Sequence, residues 1–170
     1  MSRIVRAACV VSLLCLASTA MAADPAREAA GWTKWADFTS KVVETGKAEP
    51  FNPTGVIAAC DGATGVVIGQ GFQFPYWAQN IMMACRAYDS FKSFDQKRDA
   101  GIDTGSKDEF FSGNMRAIMK RQKKILCRNT ASASKELAKA TSVESEPRAQ
   151  PLALELKAQM DNIMVKAECN

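Results

Sequence analysis

Cysteine is the residue type in this 170-residue chain whose number and spacing point most directly to chemistry. Two of the six cysteines, Cys9 and Cys15, lie in an N-terminal segment that we expect to be removed. The other four are separated by 25, 42 and 42 positions: Cys60, Cys85, Cys127 and Cys169. They form no C-x-x-C pair of the kind used for zinc, thioredoxin-type redox chemistry or haem attachment. An even number of widely spaced cysteines predicts two structural disulfides in an oxidising compartment.

Sequence alone allows three pairings of these four cysteines, and hairpin geometry ranks them. In an antiparallel helical hairpin, residues equally far from the turn lie at the same height. The midpoint of Cys60 and Cys85 falls in the stretch 70–75, which contains glycine and proline and reads as a turn. We therefore favour Cys60–Cys85, which leaves Cys127–Cys169 with a midpoint between Pro147 and Pro151.

The chain contains no histidine, which excludes many catalytic and metal-binding arrangements. Ser-His-Asp and Cys-His catalysis, His-ligated haem and His-containing zinc sites all require imidazole. The glycine-rich run 62–71 lacks the lysine and hydroxyl of a phosphate loop, and Ser132 to Lys135 matches S-x-x-K without its companion motifs. The acidic residues between 95 and 109 do not follow the calcium-loop pattern. We expect no catalytic residue, no metal and no cofactor, and we predict that the protein is not an enzyme.

The N-terminal residues 1–22 have the pattern of a signal peptide. Arg3 and Arg6 precede an apolar run at 7–16, and Ala20-Met21-Ala22 supplies the small residues of a cleavage site. The run is about half the length needed to cross a bilayer. We therefore predict cleavage after Ala22 and no membrane span in the mature chain. The lack of a usable N-x-[ST] site favours the bacterial periplasm over a eukaryotic secretory route.

Apolar residues recur every three or four positions through most of residues 23–170, which is the helical period. Strand-type alternation is essentially absent, so we predict an all-α single domain, a small bundle of four to five helices stapled by two disulfides. The stretch 129–150 has few apolar residues and is interpreted as a short exposed helix or a mobile arm. The predicted helices cover about 24–46, 54–70, 75–100, 107–128 and 151 onward.

The second predicted helix is unusual because small residues form one stripe along it: Ala58, Gly62, Gly65 and Gly69. Each interior glycine costs about 1 kcal/mol relative to alanine, but such a stripe lets another backbone approach closely. We favour a helix buried at the centre of the bundle, and irregular or short β structure is the alternative.

Basic residues are concentrated on the fourth predicted helix. At helical spacing, one side carries Arg116, Lys120, Lys123 and Lys124. This patch suits an acidic partner, an anionic lipid surface or a polyanion, but a solvated outer face is the interpretation we favour. Acidic residues of the preceding turn are expected to neutralise part of it.

Aromatic residues cluster at the predicted turn near position 73 and on the first helix. One interpretation, which we favour, is that the first helix folds over the turn and completes the core. The alternatives are an anchor surface for a protein partner, since Trp and Tyr dominate interface energetics, and an apolar ligand pocket. The residues concerned are Phe72, Phe74, Tyr76, Trp77, Trp32 and Trp35.

These observations predict an exported periplasmic protein that binds another protein of the cell envelope, as an accessory part of a secretion or conjugation machine or as an inhibitor or immunity-type factor. A formal charge of only +4, which falls further on loss of Arg3 and Arg6, is weak ground for nucleic-acid binding. The alternative is a periplasmic carrier of a small apolar or lipid-like ligand. A third possibility is an enzyme that uses only carboxylates or lysine. The oligomeric state is left open.

Overall fold

The computed structural model describes residues 24–48, 52–99 and 109–169. Within these residues the chain forms five longer helices and one single-turn helix, with no strand. The predicted all-α bundle is therefore confirmed, while the predicted signal peptide lies outside the described residues. Among the described helices, none combines the length and apolar character required to cross a bilayer. The helices are α1 (Pro25–Lys47), α2 (Pro53–Gly69), α3 (Tyr76–Gln79), α4 (Ile81–Asp99), α5 (Glu109–Leu137) and α6 (Ala149–Lys166).

Polar side chains cap the first two helices. The Asp24 carboxylate accepts a hydrogen bond from the backbone N–H of Ala26 at 3.0 Å, and proline follows at the first helical position, as the sequence predicts. At α2 the cap is Asn52, whose side-chain oxygen accepts from the N–H of Gly55 at 3.0 Å. The chain leaves α2 through Gly71, whose φ of +70° strains any residue with a Cβ.

The five longer helices form a ring around one core. Going round the ring, α1 packs on α2, α2 on α4, α4 on α5, α5 on α6, and α6 on α1. Each helix therefore buries one side against two neighbours, which is the helix-on-helix architecture expected of a bundle. The largest fully buried side chains come from every longer helix and include Trp35, Val56, Tyr88, Leu126 and Leu156.

Two disulfides fasten the ring, and both follow the favoured pairing. Cys60–Cys85 joins α2 to α4 with a Cα–Cα distance of 5.6 Å. Cys127–Cys169 joins α5 to the chain just after α6, at 5.4 Å. Both distances are ordinary for disulfides. Two intrachain disulfides are typical of an oxidising environment outside the cytoplasm.

The expectation of an exposed short helix or mobile arm at 129–150 is wrong for the first half of that stretch. Residues 129–137 continue α5, and Thr130, Ala133 and Leu137 are buried. Ser134 donates a hydrogen bond to the Asp161 carboxylate of α6 at 2.5 Å. Because the inward residues are mostly small, α6 approaches closely and buries them with few large apolar side chains.

The connection from α5 to α6 is fastened to the bundle by ionic and hydrogen bonds. Glu146 is buried and accepts hydrogen bonds from Arg148, including one of 2.7 Å from its Nε. The same guanidinium donates to Asp37 of α1 at 2.9 Å. Gln150 Nε2 donates to the carbonyl of Ala140 at 3.0 Å. The second half of the stretch thus has fixed contacts with α1 and with the end of the preceding helix.

The small-residue stripe of α2 does not lie at the centre of the bundle. Ala58, Gly65 and Gly69 are exposed, and a Cβ placed on Gly65 or Gly69 would meet nothing within 4 Å. Only Gly62 serves close packing, because the ring of Phe38 of α1 occupies the space that a Cβ there would need. The prediction of a helix is confirmed, whereas central burial of the stripe is wrong, since α2 lies in the ring with one side to solvent.

Candidate functional site

The aromatic residues highlighted by the sequence close one end of the bundle. Trp32, Trp35, Phe74 and Trp77 are all less than 8% exposed. Trp32 is their centre: it stacks on Trp77 at 5.5 Å between ring centroids and meets Phe74 edge-on at 4.9 Å. The Trp35 indole N–H donates to the carbonyl of Ala78 at 3.1 Å. These four residues are core.

The remaining two aromatic residues of the turn differ from each other. Phe72 is partly buried against the core, where its ring fills the space beside Gly31 of α1. Tyr76 is 65% exposed. An anchor surface made of all six aromatic residues is therefore wrong, because rings buried inside the fold cannot contact a partner. Tyr76 is the member left on the surface.

An open groove runs between α2 and α4, and we call it the α2–α4 groove. It has a volume of about 440 Å³, and the Cys60–Cys85 disulfide lines it. Helical spacing explains the walls, because residues three, four, seven or eleven apart lie on the same side of a helix. The two walls include Ile57, Asp61 and Ile68 of α2, and Met82, Arg86 and Asp89 of α4.

The groove combines apolar side chains with charges that have no partner in the described fold. Ile68 is 75% exposed, which is unusual for a large aliphatic residue, and Met82 lies partly buried opposite it. Among the described residues, neither Asp61 nor Asp89 forms an ion pair. Arg86 contacts the Met83 sulfur at 3.7 Å. Apolar area and unpaired carboxylates therefore lie together on this surface.

A smaller depression of about 160 Å³ continues the groove past Met82 and Arg86 to Tyr76. Asn80 lines it and is only 2% exposed. The Asn80 Nδ2 donates to the carbonyl of Tyr76 at 2.8 Å, but its Oδ1 has no partner among the described residues. A buried polar atom without a partner costs free energy, and since this oxygen is itself closed to solvent it adds no accessible hydrogen-bond acceptor to the groove.

Sequence reasoning missed the groove, although a signal was present. At i, i+4, i+7 and i+11 of α2 stand Ile57, Asp61, Thr64 and Ile68. The glycine stripe, which the sequence makes more conspicuous, lies one residue further along and so on a different side of the helix. The α4 residues that face this side of α2 could not be assigned from the sequence, because that requires knowing which sides of the two helices the Cys60–Cys85 disulfide brings together.

The four residues of the predicted basic patch lie on α5, and together with Arg121 and Arg128 they form a surface of six cations. We call it the basic face of α5. Lys123 approaches Glu168 at 3.7 Å, and Lys120 and Lys124 form no ion pair with any described residue. Of the acidic residues expected to neutralise part of this patch, Asp95 of α4 has a described side chain, whereas those at 99–109 lie outside the described side chains. The face consists of Arg116, Lys120, Arg121, Lys123, Lys124 and Arg128.

The described groups with shifted pKa values hold helices together rather than line the groove. The hydrogen bond from Arg148 lowers the pKa of Glu146, and the same pairing raises that of Arg148. Burial works to raise the pKa of Asp161, but hydrogen bonds from Lys157 and Ser134 outweigh it and the net shift is downward. Burial raises the pKa of the Tyr88 hydroxyl. Within the described residues, no three acidic or cysteine side chains are grouped as metal ligands would be.

Comparison with known protein families, with curated proteins and with solved structures finds no match to this chain. The α2–α4 groove and the basic face of α5 are the surfaces that bear on its function.

Proposed function

We propose that this protein is exported to the periplasm and acts there by binding another envelope protein, whose amphipathic helix lies in the α2–α4 groove. The observation that carries the proposal is the pairing of exposed Ile68 with the unpaired carboxylates of Asp61 and Asp89 on one open surface. The signal-peptide pattern of residues 1–22 and the two disulfides support export.

A helix is the occupant that fits the shape of the groove. Two packed helices present parallel ridges, and a third helix packs naturally into the space between them. From Ile57 to Ile68 the α2 wall rises about 16 Å, which matches about three turns of a partner helix. Met82 adapts its shape to irregular apolar side chains.

Charge determines the chemistry of that partner helix. Asp61 and Asp89 come from opposite walls and have no ion pair among the described residues, so Lys or Arg on the partner gains two sites for charge-assisted hydrogen bonds. We therefore expect a partner segment with apolar residues at helical spacing and at least one flanking cation. The guanidinium of Arg86 can pair with an acidic residue at another position of the same partner helix.

The second candidate, a carrier of a small apolar or lipid-like ligand, is favoured by the groove's volume of about 440 Å³, which is within the usual range for ligand sites. A carrier usually encloses its ligand, whereas this groove is open along one side and has charged residues on both walls. Binding of a protein segment accounts for both properties.

Site-specific photo-crosslinking in intact cells tests the proposal. A photoreactive amino acid at Ile68 should yield a discrete adduct whose peptide, mapped by mass spectrometry, is a cationic amphipathic helix of an envelope protein. The control position is Leu154 of α6, which is also exposed, at 43%, and lies outside the groove. Adducts of equal yield at both positions would contradict the proposal. An adduct of lipid mass at Ile68 would favour the carrier.

Charge-neutral variants sharpen the test. Asp61→Asn and Asp89→Asn should each reduce the Ile68 adduct, whereas Glu144→Gln should not, because exposed Glu144 lies in the α5–α6 connection and not in the groove. All three variants remove one negative charge from the surface. Equal reduction by all three would show that net charge rather than the groove determines binding.

A further inference from the structure

The basic face of α5 is a second unexplained surface, and none of its six cations lines the groove proposed above. Lys120, Arg121, Lys124 and Arg128 are exposed and form no ion pair with any residue that the structure describes. They span nine residues of one helix, from 120 to 128, and the rise from the first to the last is about 12 Å. Such a density of cations is unfavourable for folding by itself, because like charges at i, i+4 repel.

Two isoleucines border this face and are also exposed. Ile118 is 44% exposed and Ile125 is 37% exposed. They are seven residues apart, so they lie on the same side of α5, with Arg121 between them. Single aliphatic residues on a surface are common, but here two of them lie beside a group of cations and make this edge of α5 amphipathic. Ile125 also lines a depression of about 150 Å³ next to Asp89 and Ser90 of α4.

We propose that the basic face of α5 docks on the surface of a bilayer rich in anionic phospholipids. Cations attract the phosphate groups, while Ile118 and Ile125 enter the boundary between headgroups and acyl chains. The long stems of Lys and Arg let the charged ends reach phosphates while the helix axis lies in the interface. A helix side is convex, and a planar surface contacts it along its length without a shaped cavity.

The other anionic partners explain fewer of these features. Single-stranded nucleic acids are bound with aromatic side chains that stack on bases, and residues 116–137 contain no aromatic residue. A formal charge of only +4 is weak ground for binding a duplex. An acidic amphipathic helix would contact both the cations and the two isoleucines, but such helices usually dock in a groove, and the convex side of one helix offers none. The bilayer accounts for both.

Vesicle co-sedimentation of the oxidised, exported protein tests the proposal. Vesicles of phosphatidylglycerol and phosphatidylcholine should bind it, pure phosphatidylcholine should not, and a rise from 25 to 500 mM NaCl should weaken binding, since salt screens exposed charges. The double variant Lys120→Gln/Lys124→Gln should bind the anionic vesicles about 10- to 30-fold more weakly.

A matched control removes the same charge elsewhere. Lys34→Gln/Lys41→Gln lies on exposed positions of α1, which packs on α2 and α6. This control should change vesicle binding by less than about twofold. Equal loss in the two double variants, equal binding to neutral vesicles, or no binding to either vesicle would overturn the proposal.

The isoleucines separate a bilayer from an acidic polymer. Ile118→Ser/Ile125→Ser should weaken binding to anionic vesicles at least about threefold while leaving binding to soluble polyglutamate unchanged. Thermal unfolding of each variant verifies that the fold is retained. Vesicle binding that does not depend on the isoleucines, together with tighter binding to polyglutamate, would assign the face to an acidic protein and overturn the membrane assignment.

Discussion

The indole N–H of Trp35 on α1 donates a hydrogen bond to the backbone carbonyl of Ala78 on α3 at 3.1 Å, at a site where Trp35 is 1% exposed. This bond links the N-terminal helix to the chain between α2 and α4. Because α3 has only four residues, its own helical hydrogen bonds are too few to stabilise it in isolation. The α1 tryptophans therefore hold in place the turn that leads into α4 and one end of the groove.

Replacing Trp35 by Phe should lower the free energy of unfolding more than the same change at Trp32. Both substitutions remove ring volume from the core, but the indole N–H of Trp35 donates a hydrogen bond, whereas that of Trp32 donates none to any described residue. The difference should be about 1 to 2 kcal/mol, the cost of losing one buried hydrogen bond. Urea unfolding measures it. Equal losses in the two variants would show that packing alone matters at this site.

Removing either disulfide should destabilise the protein strongly. The loop-entropy relation gives about 3.5 kcal/mol for the separation of 25 residues and about 4 kcal/mol for that of 42. Paired substitutions, Cys60→Ala/Cys85→Ala and Cys127→Ala/Cys169→Ala, followed by urea unfolding, measure each contribution. Reducing agent should destabilise the wild type to the level of a variant that lacks both bonds.

Peptide mapping without reduction provides the matching structural measurement. It should recover Cys60 joined to Cys85 and Cys127 joined to Cys169. A link from Cys60 to Cys127 or Cys169 would contradict the fold, because α2 and α4 are the helices that lie side by side at Cys60.

The disulfide pairing was predictable because it depends on local hairpin geometry. Cys60 and Cys85 flank one turn at equal distances, so helical spacing and the position of Pro75 were enough. The start of α1 at Asp24-Pro25 was predictable for the same reason, since a cap needs only neighbouring residues.

The side of each helix that faces the core was less predictable, since it depends on contacts distant in sequence. The glycine stripe of α2 suggested close approach by another backbone, but of Gly62, Gly65 and Gly69 only Gly62 lies against a side chain of another helix. Residues 129–137 had too few large apolar side chains to predict burial, and α6 buries them through small ones such as Ala133. The groove depends on two helices at once, so its opposing walls could not be assigned from either sequence segment.

Replacing Gly65 by Ala should stabilise the protein by about 0.5 to 1 kcal/mol. Gly65 lies inside α2, its backbone is helical, and a Cβ there meets nothing within 4 Å. Alanine reduces the conformational entropy of the unfolded chain without a clash. Gly62→Ala in the same helix is the control and should destabilise the protein, because its Cβ would displace the Phe38 ring. Stabilisation by both variants in thermal unfolding would show that Phe38 moves aside freely.

Acid should remove the contribution of Glu146 to stability. Its side chain is 6% exposed, and it accepts hydrogen bonds of 2.7 and 2.8 Å from the Arg148 guanidinium, which also bonds to Asp37 of α1. The bond from Arg148 lowers the pKa of Glu146 below its usual 4.5. A carboxyl whose pKa is lower in the folded state stabilises the fold fully above its unfolded pKa, and the contribution disappears as the pH falls through the folded pKa.

Glu146→Gln should therefore lower the free energy of unfolding by about 1 to 2 kcal/mol at pH 7, a figure limited by the solvent exposure of Arg148. The loss should become progressively smaller below about pH 4.5. Urea unfolding of both proteins between pH 7 and pH 3 measures the difference. A difference that stays constant across that range would show that Glu146 acts through its shape rather than its charge.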